Sequence, residues 1–299
     1  MRREKETVAL YCNPGSGHGK HNTETLRKQI ARAGFACRVL PRGKRQAGQL
    51  RNADIFAVAG GDGTVRKFVL QLLQAPLGVI RPIGLLPLGT ANNIAATLEI
   101  DREQARGAML AAWKSSSRKP FDIGYAAGRN REAFFLESMG YGIFPKLIRG
   151  MKRHPDAQAH TPEEEFDAAF RMLSGIAGAY EGAACDLVID GKDHSGTYLM
   201  VELMNIRLLG SNMVIAPKAN PGDGCMDVVL VPPAGRDRLL QYLEKAREKR
   251  NVAFPFPAIR AREVLLRWKG KDMHVDDEVV SPGKGLLKVR MLQQLLHFL

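Results

Sequence analysis

The chain has 299 residues, 45% hydrophobic and 25% charged, and its 44 Lys and Arg against 31 Asp and Glu give a net charge of +13. Those fractions are those of an ordinary soluble globular protein, and the length is enough for two domains with substantial cores or for one large α/β domain. The positive excess favours an anionic partner, whether nucleic acid, a membrane surface or a phosphorylated substrate; a solvated basic surface is the alternative. The start, Met1-Arg2-Arg3-Glu4-Lys5-Glu6, carries both signs and leads into a short apolar run, so no signal peptide is expected. No stretch approaches the ~20 apolar residues that cross a bilayer. Cys12, Cys37, Cys185 and Cys225 are scattered without C-x-x-C spacing, suggesting neither a disulfide scaffold nor a zinc site. The expectation is an intracellular, reduced protein.

Val8 to Cys12 is predicted as a buried strand ending in Asn13-Pro14-Gly15-Ser16-Gly17. A helix should follow, capped near Asn22 or Thr23, with Leu26 and Ile30 inward and Gly34 as its stop. A glycine-rich turn between strand and helix suits a phosphate. This one is not a Walker A loop: three residues separate Gly15 from Gly19-Lys20, and His21 stands where Ser or Thr would hold magnesium. Phe35 to Leu40 is a second strand, with Phe35, Cys37 and Val39 on one face, and Arg42 to Arg51 a basic loop with a short helix. Asp54 to Ala59 forms a third strand and empties into Gly60-Gly61-Asp62-Gly63-Thr64. Val65, Phe68, Val69, Leu72 and Leu73 then follow the spacing of one helix face. Glycines and a carboxylate at such a turn let a phosphate approach the backbone, with the first helix amides pointing at its charge. The plain alternative is that the glycines only relieve crowding.

Ile83 to Pro87 is a fourth strand, leading into Leu88-Gly89-Thr90-Ala91-Asn92-Asn93. Another helix is predicted at Asp101, where Asp101 and Gln104 form a capping-box pattern and Ala105, Ala108, Met109 and Ala112 an apolar face. Strands alternating with helices imply a doubly wound parallel α/β domain over residues 1–120, with its ligand beyond the carboxyl ends of the strands. All three glycine-containing turns sit at those ends.

From Phe121 the pattern changes. Phe121 to Leu136 is predicted as a hairpin turning at Gly128-Arg129-Asn130. Strand-like runs at Asp186 to Asp190, Tyr198 to Met204, Met226 to Val231, Glu263 to Trp268 and Leu286 to Met291 suggest a mostly antiparallel second domain over residues 121–299. Phe144 to Tyr180 should be helical, interrupted around His154-Pro155. Its start mixes bulky apolar residues with Lys146, Arg149, Lys152 and Arg153, a composition suited to an anionic membrane interface or to an ordinary amphipathic surface. In His274-Val275-Asp276-Asp277-Glu278-Val279, Asp276 and Glu278 would share one face if the segment is extended. His274 is expected to pack or to lie at the surface.

Asn13-Pro14-Gly15-Ser16-Gly17, Gly60-Gly61-Asp62-Gly63-Thr64 and Pro87-Leu88-Gly89-Thr90-Ala91-Asn92-Asn93, in this order and spacing, resemble the diacylglycerol kinase catalytic family. That family includes bacterial lipid kinases and sphingosine and ceramide kinases. NAD kinases and phosphofructokinases share the G-G-D-G-T element, whereas P-L-G-T-A-N-N looks like the lipid-kinase branch. The resemblance runs through nearly the whole chain. It implies a nucleotide-binding α/β domain to which about residues 290–299 return, a C-terminal antiparallel β-sandwich, and an active site in the cleft between them. ATP would be contacted by Asn13, Pro14, Gly15, Ser16 and Gly17, by Gly60, Gly61, Asp62, Gly63, Thr64, Val65, Arg66 and Lys67, and by Gly89 and Thr90.

The same resemblance makes Glu278 the base that receives a lipid hydroxyl proton, with Asp276 orienting it or binding the catalytic Mg²⁺. Asp62 would organise the nucleotide loop or a magnesium-bound water. A further Mg²⁺ would take the Asp223 carboxylate and the carbonyls of Asn220 and Cys225, oxygen ligands that suit this ion. Four features depart from the family pattern. Arg66-Lys67 replace a common Asn-Glu, no nucleotide-binding Thr is evident near Pro41-Arg42, Asn93 replaces an Asp of some members, and Asp277 replaces the Gly of a D-G-E motif.

The function expected from the resemblance is ATP- and Mg²⁺-dependent transfer of the γ-phosphoryl group to a hydroxyl of a membrane lipid such as diacylglycerol. The protein would be cytoplasmic and peripheral at the inner face of the membrane, its partners being that lipid and an anionic membrane surface, with a homodimer left open. The alternative is a nucleotide-binding regulatory protein that keeps the kinase fold without catalysis. A nucleic-acid binder is disfavoured, because no helix-turn-helix, finger or RNA-binding motif is evident.

Overall fold

A computed structural model describes residues 5–13, 22–41, 50, 52–74, 80–100, 106–115, 117–129, 131–153, 161–248, 252–283 and 285–299. The chain divides into two compact units, Met1–Phe121 with Gln294–Leu299, and Asp122–Gln293. The first unit contains β1 (Thr7–Cys12), α1 (Thr23–Arg32), β2 (Ala36–Val39), β3 (Ile55–Gly60), α2 (Asp62–Gln74), β4 (Ile83–Pro87), α3 (Asn93–Thr97) and α4 (Arg106–Ala112). Its strands lie in the order β4-β3-β1-β2, every pair parallel. The central strand β3 is buried at every residue, the continuous apolar run expected of a parallel strand covered on both faces.

Helices cover each face. Leu26 and Ile30 of α1 and Met109 and Leu110 of α4 pack with Trp113 against Val8, Leu10 and Ala57. Strand alternation turns Tyr11 and Phe56 the other way, where both rings meet Phe68 of α2, with centroids 5.1 and 5.6 Å apart. The Trp113 indole lies directly over Gly84, where a Cβ would collide with it. The Asn22 side chain caps α1 by accepting the Glu24 N–H at 2.8 Å. The chain leaves that helix through Gly34 at φ +96°, a left-handed conformation that glycine adopts without cost.

One expectation for this unit needs correction, and one element had not been expected. The buried face of α4 is Met109 and Leu110, continued by Trp113, whereas Ala108 is exposed; the larger side chains take the sheet face because they bury more apolar area. The short helix α3, not expected from periodicity, begins directly after the Pro87–Asn93 turn. The capping-box pair Asp101 and Gln104, together with Ala105, lies outside the described residues, as does all of the Arg42 to Arg51 segment except residue 50.

In the second unit, β5 (Lys119–Gly128), which enters it from the first, is followed by β6 (Arg131–Phe135), β7 (Ser138–Gly142), α5 (Ile143–Arg153), α6 (Pro162–Ala179), β8 (Ala183–Ile189), β9 (Lys192–Asp193), β10 (Gly196–Tyr198) and β11 (Met200–Met204). Then come β12 (Leu208–Leu209), β13 (Met213–Val214), β14 (Met226–Val231), α7 (Arg236–Arg247), β15 (Ala258–Ala261), β16 (Glu263–Trp268), β17 (Met273–Val275), β18 (Glu278–Val280) and β19 (Leu287–Phe298). One antiparallel sheet runs β10-β8-β16-β19, with β5 on β19, β6 on β5 and β9 on β8. A second runs β15-β14-β11-β7-β17-β18, also antiparallel.

The two sheets enclose a core that includes Met139, Tyr141, Val201, Leu203, Leu266, Trp268, Met273 and Val275. The other face of the second sheet is covered by α5, α6 and α7, through Phe144, Leu147, Phe170, Leu173, Leu239 and Leu243. This is the expected antiparallel sandwich, with helices added to one side. The expected break at His154-Pro155 and the hairpin residue Asn130 lie outside the described residues. Strand β19 carries the chain back to the first unit, where Phe298 pairs in parallel with Ile83.

Candidate active site

The carboxyl ends of β1, β3 and β4 lie side by side, since Cys12 is in register with Ala59 and Gly60 with Pro87. The turns that follow β3 and β4, together with Asn13 after β1, therefore leave the sheet side by side. Gly61 and Gly89, one from each turn, touch backbone to backbone. A Cβ on Gly61 would lie 3.0 Å from the Gly89 Cα, and one on Gly89 only 2.5 Å from the Gly61 Cα. Only glycine permits that approach. The Asp62 carboxylate ties the same turns, accepting the Asn93 N–H at 2.8 Å on one oxygen and the Ile94 N–H at 3.0 Å on the other. It thus satisfies two orphan donors at the start of α3 and complements its positive end. The Asp62 carboxylate thereby joins the turn after β3 to the turn after β4.

Asn92 completes this cradle. At φ +53° its side chain folds back on Gly89, accepting that N–H at 2.9 Å and donating to that carbonyl at 2.6 Å. Asn13 follows β1, donates its backbone N–H to the Ala59 carbonyl at 3.1 Å, and reaches the Thr64 hydroxyl at 3.5 Å, the long limit of a hydrogen bond. Among the described residues, Tyr11, Cys12, Asn13, Thr64 and Lys67 line a cleft of about 200 Å³. Lys67 is exposed there, whereas Arg66 is buried, as are Gly60, Thr64 and Val65. Gly63 is partly buried and Thr90 exposed. Pro14, Gly15, Ser16 and Gly17, with Gly19, Lys20 and His21, lie outside the described residues.

In the second unit the acidic motif is a hairpin. Val275 pairs with Glu278 across β17 and β18, leaving Asp276-Asp277 as a two-residue turn. Asp276 and Glu278 consequently do not share a strand face: the chain reverses between them. The left-handed residue is Asp276 at φ +52°, not Asp277 at the family's glycine position. Such a φ is tolerated by Asp, whose short polar side chain bonds locally. The Asp276 carboxylate is buried and accepts the backbone N–H groups of Leu136, Glu137 and Ser138 at 2.8 to 3.2 Å. Its own N–H donates to the Ser138 carbonyl at 2.8 Å. The Asp276 carboxylate thereby fastens the hairpin to the Leu136–Ser138 backbone, while Glu278 is exposed at the hairpin's rim.

Two sets of contacts around this hairpin were not foreseen. Lys146 and Arg149 of α5 both pair with Asp272 at 2.9 Å, and Lys152 donates to the Asp277 carbonyl at 2.8 Å. Beneath the turn, His274 and Glu202 are fully buried and joined, with Nε2 3.0 Å from both carboxylate oxygens. Burial pushes the Glu202 carboxyl up. Burial, the largest single effect, opposes the charged His274 ring, but the Glu202 carboxylate and the Asp276 carbonyl together outweigh it and raise the ring above the usual histidine range. A carboxylate inside the apolar run Met200–Met204 is the signal that sequence reading could have used.

The Asp223 region is already balanced. One carboxylate oxygen accepts the Cys225 N–H at 2.9 Å and the other pairs with Arg260 at 2.9 Å. The Asn220 side chain accepts the Gly222 N–H at 3.1 Å, and its carbonyl receives the Asp223 N–H at 3.4 Å. Burial and then the charge of Asp223 push the neighbouring Asp227 carboxyl up. A divalent ion at Asp223 would meet a carboxylate already shared with the Arg260 guanidinium. Among the described residues no group of three or more His, Cys, Asp or Glu side chains gathers to hold a metal ion.

Residues 7–126 match the diacylglycerol kinase catalytic domain, and residues 153–294 match the YegS C-terminal NAD kinase beta sandwich-like domain. A curated relative, the diacylglycerol kinase of Bacillus subtilis, is 25% identical over 235 residues, covering 75% of this chain and 73% of its own. A crystal structure of a diacylglycerol kinase from Bacillus anthracis superposes with a TM-score of 0.68 at 16% identity, covering 98% of this chain and 96% of that one. An NAD kinase from Archaeoglobus fulgidus, solved in complex with ATP, superposes with a TM-score of 0.53 at 11% identity, covering 98% and 92%. These structural likenesses establish the fold.

Replacing Asp62 by Asn places an N–H₂ group against the N–H of Asn93 or Ile94. The expected result is a loss of about 1–3 kcal/mol in the unfolding free energy of the first unit, read by denaturant titration of Trp113 fluorescence in a Trp268→Phe background. Hydrogen exchange at the Asn93 and Ile94 amides should accelerate with it. Unchanged exchange would contradict the bridge.

Proposed function

The chain belongs to the diacylglycerol kinase catalytic family, a family of lipid kinases, and on that premise we propose that it transfers the γ-phosphoryl group of ATP to a hydroxyl of a membrane lipid, diacylglycerol first among the candidates. The observation that carries this reading is the backbone contact of Gly61 with Gly89, held by Asp62, beside a cleft that Lys67 enters. Bare backbone beside a cation suits a polyphosphate, whose charge needs close N–H donors and a fixed positive partner. The fold shared with an ATP-bound NAD kinase supports ATP as the donor.

In the proposed step the lipid hydroxyl oxygen bonds to the γ-phosphorus as the bond from phosphorus to the bridging oxygen breaks. The hydroxyl proton passes to the Glu278 carboxylate, and ADP departs with the bridging oxygen. The first unit's turns hold the nucleotide; Asp276, fastened to three backbone amides, fixes the hairpin that bears Glu278. Mg²⁺, arriving with the nucleotide, would neutralise phosphate charge. A peripheral contact with anionic membrane belongs to the same reading. On α5, Lys152 and Arg153 are exposed, and Lys146 and Arg149 share a single buried carboxylate, Asp272, which leaves the helix with a net positive charge.

The test of the reaction is transfer of ³²P from γ-labelled ATP, with Mg²⁺, to diacylglycerol in mixed micelles. The wild type should label the lipid, and Glu278→Ala, folded by circular dichroism, should do so about 10²- to 10⁴-fold more slowly. ATP binding without label on any lipid of a cell extract would instead indicate a nucleotide-binding regulatory protein. For the membrane contact, changing Lys146, Arg149, Lys152 and Arg153 together to Gln should weaken cosedimentation with phosphatidylserine-containing vesicles. Unaltered cosedimentation would end that part of the proposal.

A further inference from the structure

Strand alternation in the second sheet sends Met139 and Tyr141, Val201 and Leu203, and Met273 and Val275 into the core between the sheets. Gly140, Glu202 and His274 therefore face the helix-covered side. They are also in register: Glu202 is paired with Gly140 across β11 and β7, and His274 with Gly140 across β17 and β7. Glu202 and His274 thus approach from opposite neighbours of one strand and meet over its glycine, where any Cβ would collide with the Glu202 carboxylate. The Phe144 ring of α5 closes the pair from above, its centroid 5.0 Å from that of the imidazole.

The other ring nitrogen points at the acidic turn. His274 Nδ1 lies 2.8 Å from the Asp276 carbonyl oxygen. A carbonyl can only accept, so Nδ1 carries the proton whatever the charge of the pair. Nε2 and Glu202 share whatever proton remains. The Asp276 carbonyl belongs to the peptide that leads into Asp277 and Glu278, and Asp276 is the residue held in the left-handed region. Lys152 holds the next carbonyl, that of Asp277. A buried ionisable pair is a poor device for stability alone, since well-packed apolar residues in its place are often as stable or more so. What the pair supplies here is direction: one defined hydrogen bond to one turn carbonyl.

We propose that Glu202 and His274 are positioning residues for the reaction: His274 holds the Asp276 carbonyl through Nδ1, Glu202 holds the ring through Nε2, and together they set the turn that presents Glu278. The link to catalysis rests on the reading of Glu278 as proton acceptor; the hold on the turn does not.

Two measurements separate these. In unaltered protein with ¹⁵N-labelled histidine, the His274 Nδ1 should be protonated, and its proton should exchange slowly with solvent. An unprotonated Nδ1 overturns the proposal. The second compares His274→Asn with His274→Gln, each in a Glu202→Gln background so that no lone carboxylate is buried. Asn places its N–H₂ group where Nδ1 was, and Gln places it where Nε2 was.

The Asn form should keep slow amide exchange at Asp276 to Glu278, whereas the Gln form should exchange about tenfold faster there, with β14 and β16 unaffected. On diacylglycerol micelles the Gln form should lose about 10²-fold in kcat, with the KM for ATP changed less than about twofold. The Asn form should recover most of that loss. Equal behaviour of the two forms in exchange overturns the proposal. Unequal exchange in a protein that labels no lipid of a cell extract would uphold the hold on the turn and overturn the kinase reading instead.

Discussion

Two backbones come into direct contact at Gly61 and Gly89, and the first unit is arranged around that contact. It requires that β3 and β4 be adjacent and parallel, so that both turns leave the sheet at the same end. It requires two residues without a Cβ. It also requires a clamp, because two glycine-rich segments would otherwise keep much of their conformational freedom. Asp62 supplies that clamp by reaching across to the amides of Asn93 and Ile94, and Asn92 closes the second turn on itself. The outcome is a pair of partly buried turns whose backbone shape is fixed before any ligand arrives. Preorganised donors of this kind cost little to use when charge is bound.

The second unit fixes a side chain instead of a backbone. Its acidic hairpin is fastened by the Leu136 to Ser138 amides on the Asp276 carboxylate, by Lys152 on the Asp277 carbonyl, and by His274 on the Asp276 carbonyl. The cations of α5 therefore serve the hairpin as well as the surface. Lys146 and Arg149 reach Asp272, one residue before β17 begins. On the proposed reading, a helix whose Lys152 also holds the turn bearing Glu278 would link the membrane contact with the group proposed for proton transfer.

Much of this was legible in the residues themselves. The apolar runs of β1, β3 and β4, the inward Leu26 and Ile30, the Asn22 cap and the buried stripe Val65, Phe68, Val69 and Leu72 follow from periodicity and capping chemistry, which are local. Helix α3 was missed because it is five residues long and its start is held by Asp62, 31 positions earlier. The Glu202 and His274 pair was missed for a similar reason. Its members are 72 positions apart and meet only because Gly140 lies between them in the folded sheet. The extended reading of Asp276 and Glu278 failed because three acids in a row carry no mark of which one turns; the amides of Leu136 to Ser138 decide it.

The measurement that bears most directly on the account is equilibrium binding of ATP, with Mg²⁺, to the wild type and to Gly89→Ala, by titration calorimetry. The Cβ of that variant would force the two turns apart at a point where neither backbone has room to yield. The account predicts that the wild type binds ATP and that the variant, still folded, binds about tenfold more weakly or worse, a difference of roughly 1.4 kcal/mol or more. Equal affinity in both proteins, or no affinity in the wild type, would contradict it.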